Sequence, residues 1–433
     1  MQTFRSSDVK GIKFTGSVLL LMLTGLTGLS SGAVFAADEI GPFQKTDWPC
    51  WRGLKQDGVA MPQKTPLSWS ETENIAWKLD LPGRGHGSPI IVGDYLYIAV
   101  AEKDKETRSL LCVDKKSGKK IWETVVHQGK PTPPKNARGT QASSTPACDG
   151  KRLFINFLHD DAMYTSALDL DGKIIWQTRI TDYVVHQGFG SSPTMYGPLV
   201  IVSGDNKSGG AIAGLDRATG KISWIVKRPE MPNYPSPIIL KVAGKTQLLM
   251  TGCEMVSSFN PLTGVKNWEV EGATTECVTS TVTNGELIYT SGGYPKNHVS
   301  AVKADGSNEL VWENNTRIYV PSMLTRGKLL FMVADGGFAL CLDSKSGEEL
   351  WKGRLAGTIS SSPVLVGNKI HVTNEEGETF IFKATKDSFE LLGRNKLGDE
   401  CFATPTICGN QIYTRVAFGA GEERKEVLYC IAE

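Results

Sequence analysis

The chain has 433 residues, with 47 Lys and Arg against 46 Asp and Glu, a formal net charge of +1. Hydrophobic residues at 40% and charged residues at 21% exclude a disordered chain, which needs low hydrophobicity or a large net charge. The 46 glycines are too few for a collagen repeat, and the near-neutral charge argues against a surface built to hold nucleic-acid phosphates.

The first 36 residues read as a secretory signal peptide. Arg5, Lys10 and Lys13 make a positive start, Ser17 to Leu29 is apolar, and Val34-Phe35-Ala36 suits cleavage between Ala36 and Ala37. The apolar run is shorter than the ~20 residues that a membrane span needs, and glycine interrupts it. The expectation is an exported chain, periplasmic or secreted, of 433 − 36 = 397 residues with no transmembrane segment. Residues 37–69 then form a lead-in and residues 70–433 a single repeat domain.

An internal repeat fills that domain. Ser-Pro or Thr-Pro precedes an apolar run and a Gly turn at Ser88, Thr145, Ser362 and Thr404, with looser copies at Ser192, Ser236, Ser280 and Ser322. The position after the Ser or Thr falls at 89, 146, 193, 237, 281, 323, 363 and 405, with gaps of 57, 47, 44, 44, 42, 40 and 42. In phase with it runs Asp-x-x-[Ser/Thr]-Gly-x-x-x-Trp, complete at Trp122, Trp224 and Trp351 and degenerate at Trp176, Trp268 and Trp312. In the seventh unit the stretch SFELL puts Leu392 in the tryptophan's place. The last unit ends at Glu433 without a tryptophan, and NIAWKLDL near the start supplies Trp77. Each unit holds four strand-length apolar stretches between Gly-containing turns. Together they predict an all-β, eight-bladed β-propeller of four-stranded blades. Its N-terminal strand pairs with the C-terminal blade, so no sheet edge is left open.

These motifs resemble the quinoprotein-type (PQQ-like) β-propeller repeat, which occurs in quinoprotein alcohol dehydrogenases and in the outer-membrane assembly factor BamB. Asp47-Trp48-Pro49-Cys50-Trp51-Arg52-Gly53 is also similar to the W-P-x-W-R-G opening of some secreted bacterial proteins with this repeat. The resemblance implies that Trp77, Trp122, Trp176, Trp224, Trp268, Trp312 and Trp351 lie on outermost strands and dock each blade on the next, against the glycine of its turn. It does not imply that the quinone is bound.

Nine cysteines in an exported chain would suggest disulfides, but the register argues otherwise. Cys112, Cys341 and Cys430 share a third-strand position that is Ala167, Gly214, Ser258 and Ala301 in other units. They are expected to be buried thiols where only a small side chain fits, and Cys148 and Cys408 are read likewise.

Residues just before each innermost strand open on the mouth of the central channel. Counting back from the eight repeat positions collects Arg84, His86, Arg138, Gln141, His186, Tyr234, Glu276, Cys277, Arg317, Tyr319, Asp399, Glu400 and Cys401 as candidate binding residues. Glu276-Cys277 and Glu400-Cys401 repeat one dipeptide at one register three blades apart, which places the two glutamates obliquely across the channel. The mixed charge suits a protein, a peptide or a polar small ligand as partner. No metal is predicted, because no close-spaced ligand pair occurs. The reading is a non-catalytic binding or scaffold module without a cofactor. PQQ with calcium in an alcohol or sugar dehydrogenase is the alternative, with Glu276, Asp399, Arg84 and Arg317 as ligand, base and clamps. Against it, no two cysteines are adjacent, as the resemblance would require. A glycan lyase or hydrolase using Glu276 and Glu400 is the third reading.

Overall fold

Short apolar runs separated by glycine turns satisfy their backbone groups by pairing with the next run, so each repeat folds as an antiparallel meander. The computed structural model describes residues 39–130 and 132–433, and the signal-peptide reading of residues 1–36 lies outside them. Eight meanders are present, and the only helical element among the described residues is the 3-10 turn Gly421–Glu423. From the channel outward, blade 1 consists of Ile90–Val92, Tyr95–Glu102, Thr107–Asp114 and Lys120–Gln128. Blades 2 to 7 occupy 147–182, 194–227, 238–271, 282–314, 324–354 and 364–396. In blade 8, Thr406–Cys408, Gln411–Phe418 and Lys425–Ile431 are completed by Ile75–Leu81, with Trp77 opposite Cys430. The ring is closed by its N-terminal strand.

The blade contacts follow from side-chain volume. Trp122, Trp176, Trp224, Trp268, Trp312 and Trp351 pair with Cys112, Ala167, Gly214, Ser258, Ala301 and Cys341, whose small side chains leave room for the indole. Each ring then reaches the next blade. Trp122 Nε1 donates to the Leu170 carbonyl at 3.0 Å and covers Gly172, where a Cβ would lie 2.7 Å from the ring. The same bond runs from Trp77 to Lys115 O at 2.9 Å, from Trp176 to Arg217 O at 3.1 Å and from Trp351 to Thr385 O at 2.8 Å. Trp268 departs from the pattern, donating instead to Gln247 Oε1 of its own blade at 2.8 Å.

Blade 7 corrects one expectation. Gly393, not Leu392, holds the tryptophan register, opposite Ile381. A Cβ there would lie 2.5 Å from the Leu67 carbonyl oxygen, because the lead-in crosses the strand at this point. The missing indole is replaced from two sides: Ile381 stands where other blades carry a small residue, and Trp69 of the lead-in is buried in the same cluster. Asn395 fastens the crossing, accepting from Trp69 N at 2.9 Å and donating to Leu67 O at 3.0 Å.

The Ser or Thr before each repeat position has its own task. The backbone N–H of Ser88 donates to Thr145 Oγ1 at 3.0 Å, and those of Thr145 and Ser192 donate to Ser192 Oγ and Ser236 Oγ at 2.9 Å. Ser280, Ser322 and Ser362 repeat the bond to Ser322, Ser362 and Thr404 at 2.9 Å. Hydroxyls therefore lace six of the eight blade junctions around the channel.

The lead-in closes the opposite end of that channel, where first and second strands turn. Trp48 pairs with Ile91, Cys148 N donates to Pro49 O at 2.8 Å, and Gln56 Oε1 accepts from Ile239 N at 3.1 Å. Arg52, 2% exposed, donates to Met323 O at 2.6 Å, and Val59–Ala60 adds a parallel fifth strand to blade 7. At the axis, Trp51 Nε1 donates to Ser280 Oγ at 2.8 Å. The Trp-Pro-Cys-Trp-Arg-Gly stretch is thus a plug. All nine cysteines are buried and free, and burial pushes Cys112, Cys341 and Cys430 up to about 12, so they are inert thiols.

Candidate functional site

The pre-strand loops end in an open bowl of about 600 Å³ lined by His86, Arg138, Arg317, Tyr319, Asp335, Glu375 and Phe402, among others. Below it the channel narrows to about 160 Å³ between Tyr234, Phe402 and the lacing hydroxyls, with Trp51 at its floor. The site is a blind funnel.

Sequence counting brought together residues that the structure divides into three groups. On one side, Glu276 of blade 5 is 6% exposed and sits between His186 Nε2 of the loop before blade 3 and Tyr319 OH of the loop before blade 6, each at 3.3 Å. Tyr234 supports the same side, its hydroxyl accepting from Gln187 N at 3.3 Å. Arg317 lies over the Tyr319 ring at 5.3 Å and donates to Gly293 O and Asn297 Oδ1 at 3.2 Å. Burial raises the Tyr319 and Tyr234 hydroxyls well above the ordinary phenol range, so both stay protonated donors.

On the other side, Glu400 is held by Arg424, whose Nη2 is 2.5 Å away. Arg424 also reaches Glu426 at 2.6 Å, and Glu426 holds the fully buried Arg415 at 2.7 Å. Asp399 accepts from Gly419 N at 3.0 Å and shapes the neighbouring hairpin. His86 lies against Phe402 with centroids 4.3 Å apart and the rings tilted by 31°, and desolvation with Arg84, Arg415 and Arg424 nearby pushes its pKa well below the ordinary value. It is a neutral imidazole in this setting.

The remaining candidates do not face the bowl. Cys277 and Cys401 are buried beneath the rim, with Cys277 Sγ 3.4 Å from Thr274 Oγ1 and Cys401 Sγ donating to Arg415 O at 3.4 Å. Gln141 donates to Thr132 O at 2.8 Å, within the loop between blades 1 and 2. Glu276 and Glu400 lie on different sides of the mouth, each tied into its own cluster of partners.

Counting back from the repeat missed half of the rim. Asp335 and Glu375 lie in the hairpins between second and third strands, which open on the same face as the pre-strand loops. Asp335 Oδ2 accepts from Tyr319 N at 2.7 Å, and burial raises its pKa. Glu375 receives Ser360 Oγ at 2.6 Å and Arg138 Nη1 at 2.7 Å. The signal was present: Ala-Asp-Gly-Gly at 334–337 and Asn-Glu-Glu-Gly at 374–377 share one offset forward from their repeat positions.

The sequence matches the family described as outer membrane protein assembly factor BamB over residues 59–157, 107–352 and 295–388. The chain belongs to this family. No curated protein matches the sequence. Among solved structures, BamB from Moraxella catarrhalis is 15% identical with a TM-score of 0.58, over 82% of this chain and 96% of that one. A europium-containing methanol dehydrogenase is 11% identical with a TM-score of 0.65, over 90% and 98%. Quinohemoprotein alcohol dehydrogenase from Comamonas testosteroni is 12% identical with a TM-score of 0.63, over 89% and 80%. At these identities the likeness concerns the fold. One BamB-type frame carries both an assembly factor and dehydrogenases, so function has to be argued from the bowl.

Proposed function

We propose that this BamB-type propeller is an exported, non-catalytic binding or scaffold module that holds a protein, peptide or polar small ligand in the bowl. Export rests on the charge and hydropathy pattern of residues 1–36. The observation that carries the reading is the cross-bracing of the rim. Glu276, Glu375, Glu400 and Glu426 are each held by a basic or hydroxyl group from another loop or strand. Groups fixed in this way make a preorganised recognition surface.

The alternative, a quinone with calcium, has less support from these residues. The channel cavity, about 160 Å³, is below the roughly 300 Å³ at which small-molecule sites begin. Glu276 is engaged by His186 and Tyr319, and Arg415 is saturated by Glu426 and the Ala99 carbonyl. Among the described residues no group of three or more His, Cys, Asp or Glu is placed to hold a metal. A two-carboxylate glycosidase mechanism is likewise unsupported, because Glu276 and Glu400 occupy separate clusters.

Two measurements test the proposal. Purified protein mixed with PQQ and Ca²⁺ should give no bound chromophore and no dye-linked alcohol oxidation; either result would reinstate the dehydrogenase. A photo-crosslinker replacing Thr358, which lines the bowl, should capture a partner in the producing cell. The same crosslinker at Lys352 on an outermost strand should not, and equal capture at both positions would remove the bowl from consideration.

A further inference from the structure

A second cavity lies away from the channel, between the top of blade 1 and the loop that joins it to blade 2. Its volume is about 390 Å³, within the range of small-molecule sites. Ala101, Pro133, Pro134, Gly139 and the stems of longer side chains give it a mostly apolar wall. Arg84, Lys103, Arg108 and Lys130 line it against only two carboxylates, Glu102 and Glu106, and Glu102 is already paired with Lys105 at 2.7 Å. The balance is cationic.

The lining also carries unfilled hydrogen-bonding capacity. Arg84 Nε, Arg108 Nε and Thr107 Oγ1 are buried without a partner. Arg108 is 1% exposed and Thr107 is 5% exposed, so bulk water does not serve them. The other nitrogens of Arg108 are committed, Nη1 to Gly129 O at 2.6 Å and Nη2 to His159 Nδ1 at 2.9 Å. Buried donors left unpaired are rare, and the three residues that carry them border one cavity.

We propose that this cavity binds an organic monocarboxylate with an apolar body, its charged end toward Arg84, Arg108 and Thr107. A carboxylate offers two acceptor oxygens and one negative charge, which matches donors without acceptors and a small cationic excess. The apolar body is matched by the proline and alanine wall. Such a group belongs equally to a free short-chain acid or to the C-terminus of a peptide ending in an apolar residue. The site is separate from the bowl and does not depend on the function proposed for it.

The probes are sodium octanoate, octanamide, and N-acetyl-Leu-Leu with a free or an amidated C-terminus, read by calorimetry and thermal shift on the intact protein. Octanoate should bind and octanamide should not. Binding of the free peptide acid in addition assigns a peptide terminus, and its absence assigns a free acid. Ala101→Leu fills the cavity and should abolish binding. Lys103→Ser with Lys130→Ser, on exposed side chains that leave Arg108 and its struts intact, should weaken octanoate about fivefold and flatten its salt dependence. The proposal fails if acid and amide bind alike, if neither acid binds, if Ala101→Leu still binds, or if crystals grown with octanoate place only water against Arg84 and Arg108.

Discussion

At the scale of single residues, the tryptophans and the small residues opposite them were legible because the repeat aligned them. Trp122, Cys112 and Gly172 form one lock spread over three strands and two blades, and register alone predicts all three. Blade 7 was misread for a related reason. A motif search looks for the residue that replaces tryptophan on the same strand, whereas the volume was supplied from elsewhere, by Ile381 and by Trp69 from the lead-in. Trp122→Ala should therefore cost on the order of 2–4 kcal/mol in chemical denaturation, somewhat below the range for a fully buried aromatic truncated to alanine because the indole is half-buried. Gly393→Trp should destabilise as well, since the Leu67 carbonyl occupies its space. Histidines set a second expectation. His127 and His371 are 7% and 0% exposed, and burial lowers each to about 3, so both are neutral in the fold and take up a proton on unfolding below their ordinary value of 6.5. The unfolded chain then binds more protons, and stability is lost as pH falls from about 6.5 toward 3, by up to about 1.4 kcal/mol per pH unit for each histidine. Denaturant midpoints at pH 7 and pH 5 check this, and because His86 is held neutral in the same way, His371→Phe should remove about a third of the histidine-linked part of the slope.

At the scale of elements, ring closure was legible from an absence, since the last repeat ran out of chain before its tryptophan and the first strand carried a spare one. The plug was not. Its contacts join residues 41–64 to positions from 91 to 410, and no periodicity links a non-repeating segment to the strands it touches. Only the shared Trp-Pro-x-Trp-Arg-Gly opening hinted that the stretch has a fixed role. The two elements should fail differently. A chain lacking residues 37–81 loses Ile75–Leu81 and leaves Lys425–Ile431 as an open edge strand, so it should aggregate or associate on a sizing column. Replacing only residues 47–53 by a flexible linker keeps every blade complete. That variant should stay monomeric and melt at a lower temperature, and a parent-like melting curve would show that the segment merely lies against the channel end.

At the scale of the whole molecule, the two ends of the channel divide the work. The plugged end is built from buried, mostly backbone-directed contacts such as Arg52 to Met323 O and Trp51 to Ser280, which add stability and expose little for recognition. The open end carries the charge, with Arg317 exposed and Glu276, Glu375 and Glu400 held in fixed positions by partners from other loops. Blade periodicity made the open face legible in outline, because it says which residues precede an innermost strand. It could not say which of them turn inward, and Cys277, Cys401 and Gln141 are the result. Substitutions at the two ends should separate stability from capture. Trp51→Ala empties the channel floor and should cost about 2–4 kcal/mol, with crosslinking from position 358 unchanged at temperatures well below the melt. Glu276→Gln with Arg317→Met keeps both shapes, removes the unpaired cation and its neighbouring carboxylate, and leaves the tryptophan locks untouched. It should lower the melting temperature only modestly, since Arg317 is exposed and the new glutamine keeps an amide oxygen to accept from Tyr319, and it should abolish capture at position 358. If the double variant captures its partner as the parent does while Trp51→Ala loses it, recognition depends on the plugged end, and the bowl is only the wet rim of a structural ring.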